Sequence, residues 1–438
     1  MSNFKSLKEI KLELGRFNVL VGPNATGKTN LIEFFKFLRK AIVEQTQPRM
    51  PFLEWWNYKN IVWAGMEHLP IKAGLRFDVE GYDLTYEVTL SGAGGIFRIP
   101  SEKLSIKGFL SVEREGVSVK IKHDKDFIRS NRLKIEPLLE TVKPFFLKER
   151  LAKITPESLI RQDFVLLEDR ELILPGGLFR GYSANYTPSR DLVLVVTRVG
   201  IDREGPILVS PVHKNKRMPP EISWSPFFPD VLQDLWMAIQ NYTLLRPINL
   251  REVRAPALVR RESMLAEDAS NLSNVLHTWF VDRGRLPERI EAALSALFPK
   301  MRIGFELTPD GRVFLKVYED GLELLPPSIS DGFYKVLSIL AAIESKPSLL
   351  AIDEIENSLH AKTLEYLIDE LRNSESTVII TTHSAIIVDI VKPEEILIAE
   401  KGPEGTVLKR IQNPEEIRKK MKELGITQSE IWLYGELK

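Results

Sequence analysis

The sequence predicts an α/β fold in which a core supplied by the two ends of the chain is divided by a long insertion. Three observations predict it. A glycine-rich octet, Gly22 to Thr29, follows a short apolar run near the start of the chain. A second apolar run, Leu349 to Glu354, ends in two acids, and a third, Thr377 to Thr381, lies one predicted helix further on. Strand, helix and strand in this order form the βαβ unit of a parallel sheet.

The octet fits the pattern G-x-x-x-x-G-K-[ST], in which a loop between a strand and a helix wraps a phosphate group. Phe17–Val21 predicts the strand and Leu31–Leu38 the helix. Glycines let backbone N–H groups point inward, Lys28 reaches the β and γ phosphates, and the Thr29 hydroxyl is suited to Mg²⁺. The sequence therefore predicts a triphosphate site made of Gly22, Pro23, Asn24, Ala25, Thr26, Gly27, Lys28, Thr29 and Asn30.

Three further positions complete the predicted nucleotide chemistry. Asp353 ends the second apolar run, where a carboxylate can hold Mg²⁺ together with Thr29. Glu354, the next residue, is predicted to be the general base that polarises the attacking water. His383 follows the third run and is predicted to sense the γ-phosphate. The helix between these runs is predicted over Lys362–Arg372.

A Ser-x-Gly turn, Ser330 to Gly332, precedes a predicted helix over Tyr334–Glu344. Such a turn offers a hydroxyl, backbone N–H groups and the positive end of the helix dipole to an anion. An ordinary helix N-cap has the same pattern. The position just before Leu349 favours the anion site.

The segment between the octet and the later motifs predicts a large insertion. From Ile71 to His123, alternating apolar and polar residues predict an antiparallel sheet. Ser91–Gly95 lies between two of these runs, and we interpret it as a hairpin connection rather than a second phosphate loop. Further helices are predicted at Ile135–Leu151, Val231–Leu245, Leu272–Val281 and Pro287–Phe298, and strands at Leu192–Thr197, Met301–Leu307 and Arg312–Tyr318.

These patterns predict four domain ranges. Residues 1–70 form the N-terminal part of the core with the phosphate loop, and residues 71–130 form the antiparallel β subdomain. Residues 131–270 form an insertion of mixed α/β structure. Residues 271–438 form the C-terminal part of the core.

Composition excludes several classes of protein. The formal net charge is zero, so no global field attracts nucleic acid or a membrane surface. Cysteine is absent, which excludes a disulfide framework and a cysteine-based zinc site. We expect no secretory leader, and no apolar stretch of the sequence is long enough to span a bilayer. We therefore expect a cytoplasmic protein without membrane contact.

Two basic clusters are the candidates for a nucleic-acid surface. Guanidinium and ammonium groups on one face can neutralise phosphates independently of sequence. Interleaved acids leave a second alternative open, a solvated surface of ion pairs. The clusters are Arg246, Arg251, Arg254, Arg260 and Arg261, and separately Lys214, Lys216 and Arg217.

Taken together, these motifs resemble the ABC-type ATPase heads of the SMC, RecF and OLD group, the AAA family ATPases of prokaryotes. The resemblance covers Phe4–Leu38 and about Asn271–Glu436, and Glu356–His360 looks like the D-loop of the family. It implies a P-loop NTPase fold of ABC-ATPase type with an antiparallel β subdomain and a large mixed α/β insertion. ATP and Mg²⁺ are the implied cofactors. Lys28, Glu354 and His383 are the implied catalytic residues.

The resemblance also implies an ATP-dependent homodimer. In such a dimer, Ser330 and Gly332 of one copy serve the γ-phosphate bound by the other copy, while His383 acts on the nucleotide of its own copy. The chain departs from transporter ATPases at Asp331 and Phe333, where those proteins carry Gly and Gln. Gln162 is the one candidate for a Q-loop glutamine.

Two functions follow from the resemblance as expectations. In the first, ATP-driven head dimerisation clamps or senses DNA in repair or anti-phage defence. In the second, the chain is a regulatory ATPase that controls a separate nuclease or toxin, with DNA contact secondary. Because few residues follow Ser384, we expect no Toprim nuclease domain of the kind that OLD nucleases carry.

Overall fold

The computed structural model describes residues 1–43, 50–79, 82–108, 110–115, 118–124, 126, 129, 165–167, 193–196, 224–227 and 238–436. The chain divides into two compact units. The first consists of Met1–Glu9 and Phe37–Gln240, and the second of Ile10–Lys36 and Asn241–Lys438. Among the described residues, no helix is both long enough and apolar enough to cross a bilayer.

The described helices and strands are numbered along the chain. The helices are α1 (Lys28–Ile42), α2 (Leu250–Arg254), α3 (Leu272–Arg283), α4 (Glu288–Leu297), α5 (Asp331–Glu344), α6 (Ala361–Arg372), α7 (Ala385–Ile390), α8 (Pro414–Leu424) and α9 (Gln428–Leu433). The strands are β1 (Ser2–Phe4), β2 (Leu7–Glu9), β3 (Phe17–Val21), β4 (Ile71–Val79), β5 (Tyr82–Ser91), β6 (Arg98–Ile106), β7 (Leu110–Glu115), β8 (Ser118–His123), β9 (Val165–Leu167), β10 (Val193–Val196), β11 (Trp224–Phe227), β12 (Tyr242–Leu245), β13 (Ala257–Leu258), β14 (Met301–Leu307), β15 (Arg312–Glu319), β16 (Leu322–Leu324), β17 (Leu349–Ile352), β18 (Thr377–Thr382), β19 (Ile396–Gly402) and β20 (Gly405–Arg410).

The first unit is built on an antiparallel sheet. Its described strands have the order β2-β1-β4-β5-β6-β7-β8-β9, and every neighbouring pair is antiparallel. Alternating residues of β5 and β6 face the core, where Tyr86 donates a hydrogen bond of 2.6 Å to Glu102 Oε1. A short turn that includes Ala93–Gly95 connects β5 to β6. The strands β10 and β11 form a separate antiparallel pair.

The second unit contains the sheet that carries the predicted motifs. Its order is β12-β17-β18-β3-β19-β20, with parallel neighbours except for the antiparallel pair β19 and β20. The strands β3, β12 and β17 are buried along their whole length, which explains their continuous apolar runs. Because β3 lies between β18 and β19, a strand from the start of the chain is central in a sheet made largely from its C-terminal half.

Helix α5 is the most buried helix of this unit. Phe333 to Ile343 are buried without interruption, and the helix contacts α3, α4 and α6. A smaller antiparallel sheet, in the order β13-β15-β14 with β16 beside β15, packs Leu315 and Val317 into the same hydrophobic core. Helix α5 lies in this core and is followed along the chain by β17.

Most of the elements predicted from sequence are confirmed. They include β3, the antiparallel strands of residues 71–123, the hairpin connection after β5, the β14–β15 pair and the βαβ unit of β17, α6 and β18 next to β3. The strand predicted at Leu192–Thr197 is present as β10. The helix predicted at Ile135–Leu151 lies outside the described residues.

The helix predicted over Val231–Leu245 is wrong at its C-terminal end, because residues 242–245 form β12. All four side chains are buried, and a short apolar run with no exposed face gives no periodicity to separate a strand from a helix. The pairing of β12 with β17 decides the conformation. Residues 241–270 belong to the second unit. The four predicted domain ranges stay a prediction.

Candidate functional site

The predicted phosphate loop connects the end of β3 to the first turn of α1. Gly22 packs so closely against β19 that a Cβ atom would collide with the carbonyl oxygen of Ala399, so this position requires glycine. Ala25 and Gly27 have φ values of 62° and 93°. These left-handed conformations curl the backbone so that it wraps around the space in front of α1.

Hydrogen bonds hold the shape of this loop. The Thr26 hydroxyl donates to the Pro23 carbonyl at 2.9 Å, and the Thr406 hydroxyl on β20 donates to the Thr26 carbonyl at 2.7 Å. Pro23 and Asn24 are exposed at the tip of the loop, while Asn30 lies in the first turn of α1 and its N–H donates to Gly27. The loop is therefore fixed by the sheet on one side and open to an anion on the other.

The Lys28 side chain is buried within the loop that it follows. Its ammonium group donates to the carbonyl oxygens of Gly22 at 2.7 Å and of Pro23 at 2.9 Å. Burial lowers the pKa of Lys28, and the nearby carboxylates of Asp353 and Glu354 oppose this effect. A cation is thus held inside the loop, at the position that the sequence predicts for contact with phosphate groups.

Thr29 and Asp353 meet across the gap between α1 and β17. The Thr29 hydroxyl lies 3.3 Å and 3.1 Å from the two carboxylate oxygens of Asp353. The buried Thr381 hydroxyl on β18 donates to Asp353 Oδ1 at 2.5 Å and accepts from the backbone N–H of Glu354 at 2.9 Å. The backbone N–H of Asp353 donates to the Leu245 carbonyl at the end of β12. Thr29 on α1 and Thr381 on β18 therefore contact this carboxylate, while β12 holds the Asp353 backbone.

Glu354 has a left-handed backbone conformation, with a φ of 48°. Such a conformation is uncommon for a residue with a long side chain and costs about 1 kcal/mol or more. Its carboxylate accepts a hydrogen bond of 2.8 Å from the Asn357 amide. The chain thus turns away from the direction of β17 at Glu354, next to Asp353.

His383 pairs with an acid that the sequence analysis assigned only to the D-loop. Its backbone N–H donates to Glu356 Oε1 at 2.9 Å, and its Nδ1 atom lies 3.2 Å from the same oxygen. With Nδ1 facing a carboxylate, the Nε2 atom of the exposed ring is left for another ligand. In the described part of the chain, the buried Glu356 Oε2 atom has no hydrogen-bond partner.

Lys335 is a second buried cation beside these acids. It is 4% exposed and lies in the second turn of α5. Burial lowers its pKa to about 8, against the attraction of Glu356, Asp353 and Glu354 in that order. Lys28 and Lys335 together balance part of the negative charge of the three acids.

The Ser-x-Gly turn forms the N-terminus of α5. Ser330 is the exposed N-cap, and its hydroxyl accepts from the Phe333 backbone N–H at 3.3 Å. A Cβ atom on Gly332 would lie 2.7 Å from the Ser358 carbonyl oxygen in the turn after β17. Gly332 is therefore required by close packing within the chain, in addition to any contact with a phosphate.

Three of the five arginines of the first basic cluster form ion pairs with acids. Arg246 contacts Glu33 at 2.9 Å, Arg254 contacts Asp331 at 2.6 Å, and Arg261 contacts Asp282 at 2.9 Å. Arg251 and Arg260 are exposed. The second cluster, Lys214, Lys216 and Arg217, and the Q-loop candidate Gln162 lie outside the described residues.

The structure brings Lys28, Thr29, Asp353 and Glu354 together at the carboxyl ends of β3 and β17, and joins His383 to Glu356. The roles of four residues were not predicted from the sequence: Thr381, Glu356 and Lys335 beside these side chains, and Arg254 beside Asp331. Lys335 had a detectable signal, since it is a lone cation in an apolar helix. The others form contacts with residues distant in sequence and have no local pattern.

These features define the class of P-loop nucleotide-binding proteins. They are a strand, a loop of phosphate-binding type, a helix that begins with Lys-Thr and an aspartate that faces the threonine. The family model described as "AAA domain, putative AbiEii toxin, Type IV TA system" matches residues 17–389. The chain belongs to this family of AAA ATPases. The expected relationship to ATPases of ABC type is confirmed.

Solved structures of SMC heads are similar to this chain in fold. An Smc head bound to the C-terminal winged-helix domain of ScpA is 13% identical, with 95% of this chain and 97% of that chain covered and a TM-score of 0.46. The SMC head domain from Thermotoga maritima is 12% identical, with 94% and 97% covered and a TM-score of 0.40. An Smc head with a coiled coil and joint derived from Pyrococcus yayanosii is 11% identical, with 97% and 98% covered and a TM-score of 0.41. No curated protein matches the chain in sequence.

Proposed function

We propose that this protein binds and hydrolyses ATP with Mg²⁺, and that ATP brings two copies together. The observation that carries the proposal is the contact between Thr29 and Asp353, 3.1 Å apart next to the buried Lys28 ammonium. A hydroxyl, a carboxylate and a lysine in this arrangement suit a metal-bound triphosphate.

The residues present fit a magnesium ion. The described residues contain no cluster of three or more His, Cys, Asp or Glu that would hold a metal alone. Mg²⁺ bound with a nucleotide needs only one or two protein ligands, because phosphates and water supply the rest. Thr29 and Asp353 would hold it, and it would neutralise charge on the phosphates.

The side chains divide the reaction between them. Lys28 and the loop N–H groups bind and orient the β and γ phosphates. Glu354 orients the attacking water and accepts its proton, while Asn357 holds its carboxylate. His383, positioned by Glu356, offers Nε2 to the γ-phosphate. Thr381 fixes the spacing between Asp353 and the backbone of Glu354.

The turn at the start of α5 supports a composite site shared by two copies. Ser330 is exposed at the N-terminus of a helix of 14 residues, where the helix dipole favours an anion. In the proposed dimer, Ser330 and Gly332 contact the γ-phosphate that is bound by Lys28 of the other copy. Each copy then supplies a part of the site that the other lacks.

Replacing the general base tests this proposal. Glu354→Gln should bind ATP without hydrolysing it, so we expect its molar mass, measured by light scattering after size-exclusion chromatography, to double when MgATP is added. The matched control is the double variant Lys28→Ala/Glu354→Gln, which should stay monomeric. A mass that is the same with and without ATP would contradict the dimer.

Two targets are candidates for the engaged dimer: DNA and a separate effector protein. The ion pairs of Arg246, Arg254 and Arg261 favour the effector, because paired guanidiniums attract phosphates less strongly than free ones. The family description names a putative toxin of a type IV toxin–antitoxin system and does not name DNA. Hydrolysis rates measured with and without duplex DNA distinguish the two, since DNA stimulation would favour the DNA clamp.

A further inference from the structure

Arg254, at the end of α2, holds both sides of the Ser330 turn. Its Nη2 atom donates to the Ile329 carbonyl at 2.9 Å and to Asp331 Oδ1 at 2.6 Å. Its guanidinium carbon lies 5.6 Å from the ring centroid of Tyr334. One side chain thus contacts the residue before Ser330, the residue after it and the first turn of α5.

Asp331 creates an electrostatic problem for the proposed composite site. A carboxylate in the first turn is favourable for the helix itself, because it faces the positive end of the dipole. The same carboxylate would repel a triphosphate that approaches Ser330 and Gly332. Since Asp331 is about half exposed, its charge is only partly screened. The Arg254 guanidinium compensates this charge at 2.6 Å.

Arg254 itself is held by a well-anchored segment. The segment 246–268 begins where β12 ends, and Arg246 contacts Glu33 on α1 at 2.9 Å. Near its other end, Glu267 contacts Lys36 on α1 at 2.6 Å. The backbone N–H of Arg246 donates to the Glu267 carbonyl at 2.8 Å, which closes the segment into a loop. The helix that carries the phosphate loop thus positions the base of the segment from which Arg254 reaches α5.

We propose that Arg254 is a positioning residue for the Ser330 turn, which it fixes through the Ile329 carbonyl and makes receptive to a triphosphate by neutralising Asp331. The inference rests on the proposed engagement of two copies. It assigns Arg254, a candidate for nucleic-acid contact in the sequence, to the nucleotide site of the partner copy.

The test measures the MgATP concentration that gives half-maximal dimer, by analytical ultracentrifugation in the Glu354→Gln background. Arg254→Gln should raise this concentration about tenfold, the effect of losing one charge-assisted hydrogen bond. ATP binding measured at a protein concentration too low for dimers should stay within about twofold, since the loop of Lys28 is untouched. Arg254→Lys keeps the charge without the planar fork and should shift the midpoint by about threefold.

Rescue separates charge neutralisation from a purely structural role. Adding Asp331→Asn to Arg254→Gln removes the charge that Arg254 compensates, so the midpoint should return to within about threefold of the parent. The matched control is Arg283→Gln, which breaks an ion pair with Glu344 at the opposite end of the same helix and should leave the midpoint unchanged.

The outcomes are distinct. If the parent dimerises and Arg254→Gln has the same midpoint as the parent, the inference about Arg254 is overturned and the proposed function stands. The same holds if the double variant has a midpoint as high as that of Arg254→Gln. A Glu354→Gln parent that stays monomeric at every ATP concentration overturns the proposed function, and this inference falls with it. If Arg254→Gln does not fold, the same comparison is made between Arg254→Lys and Arg254→Lys/Asp331→Asn.

Discussion

Glu356 holds His383 at two points through a single oxygen atom. Oε1 accepts from the His383 backbone N–H at 2.9 Å and lies 3.2 Å from Nδ1 of the ring. The acid comes from the turn after β17 and the histidine from the end of β18. The turn that carries Glu354 and the residue predicted to sense the γ-phosphate are therefore mechanically joined.

Removal of the Glu356 side chain should slow hydrolysis by releasing the His383 ring. We expect Glu356→Ala to lower kcat about tenfold, the value of one hydrogen bond to a charged group. Glu356→Gln keeps an acceptor for both N–H groups and should retain most of the activity. Steady-state ATPase kinetics measure both variants, and a kcat for Glu356→Ala within twofold of the parent would refute the positioning role.

The buried Thr381 hydroxyl should be necessary for magnesium-dependent activity. Thr381→Val keeps the shape of the side chain but leaves Asp353 Oδ1 and the Glu354 N–H without their partner. We expect a loss of about 1–3 kcal/mol in the free energy of unfolding and a higher Mg²⁺ concentration for half-maximal hydrolysis. Thr381→Ser retains the hydroxyl and is the control. An unchanged magnesium dependence in Thr381→Val would contradict the role of the Thr381 hydroxyl in positioning Asp353.

Lys28 should be required for nucleotide binding. In Lys28→Ala the loop loses the ammonium group that faces the phosphates, and we expect calorimetry to detect no tight ATP binding. Lys40→Ala, on the same helix but remote from the loop, is the control and should bind ATP normally. Retained tight binding in Lys28→Ala would refute the role assigned to this loop.

The sequence predicted the phosphate loop, β17 and His383 because each is a local pattern of consecutive residues. It could not predict that Thr381 contacts Asp353, since a threonine in a buried strand commonly has no role beyond packing in the core. It also failed at β12, where four buried residues give no periodicity. The role of Arg254 required the distance to Asp331, which lies 77 residues further along the chain.

Lys335 should make the stability of the protein depend on pH in the alkaline range. Burial lowers its pKa to about 8 in the folded chain, from the ordinary value of 10.5 that applies when the chain is unfolded. Between these two pH values the unfolded chain binds more protons than the folded chain, so the free energy of unfolding rises with pH. Below about pH 8, Lys335 is charged in both states, and the destabilisation by its buried charge is fully present.

Comparison with Lys335→Met isolates this contribution from that of other groups. Relative to this variant, the parent should gain about 1 kcal/mol per pH unit between pH 8 and pH 10 in denaturant unfolding. Lys362→Met, at an exposed position of α6, is the control and should track the parent. Parallel curves for the parent and Lys335→Met would show that Lys335 keeps an ordinary pKa.

The central position of β3 has a consequence for biosynthesis. The Asn18 side chain donates at 2.9 Å to the Val378 carbonyl, 360 residues away. The flanking strands β18 and β19 both leave the ribosome long after β3, so the loop of Lys28 has no sheet to support it during most of translation. Closing so long a chain segment carries an entropic cost, so we expect the pairing of β3 with β18 and β19 to be a slow step of folding. A nascent chain released before β18 should lack ATP affinity, and the exposed apolar β3 would be a target for chaperones.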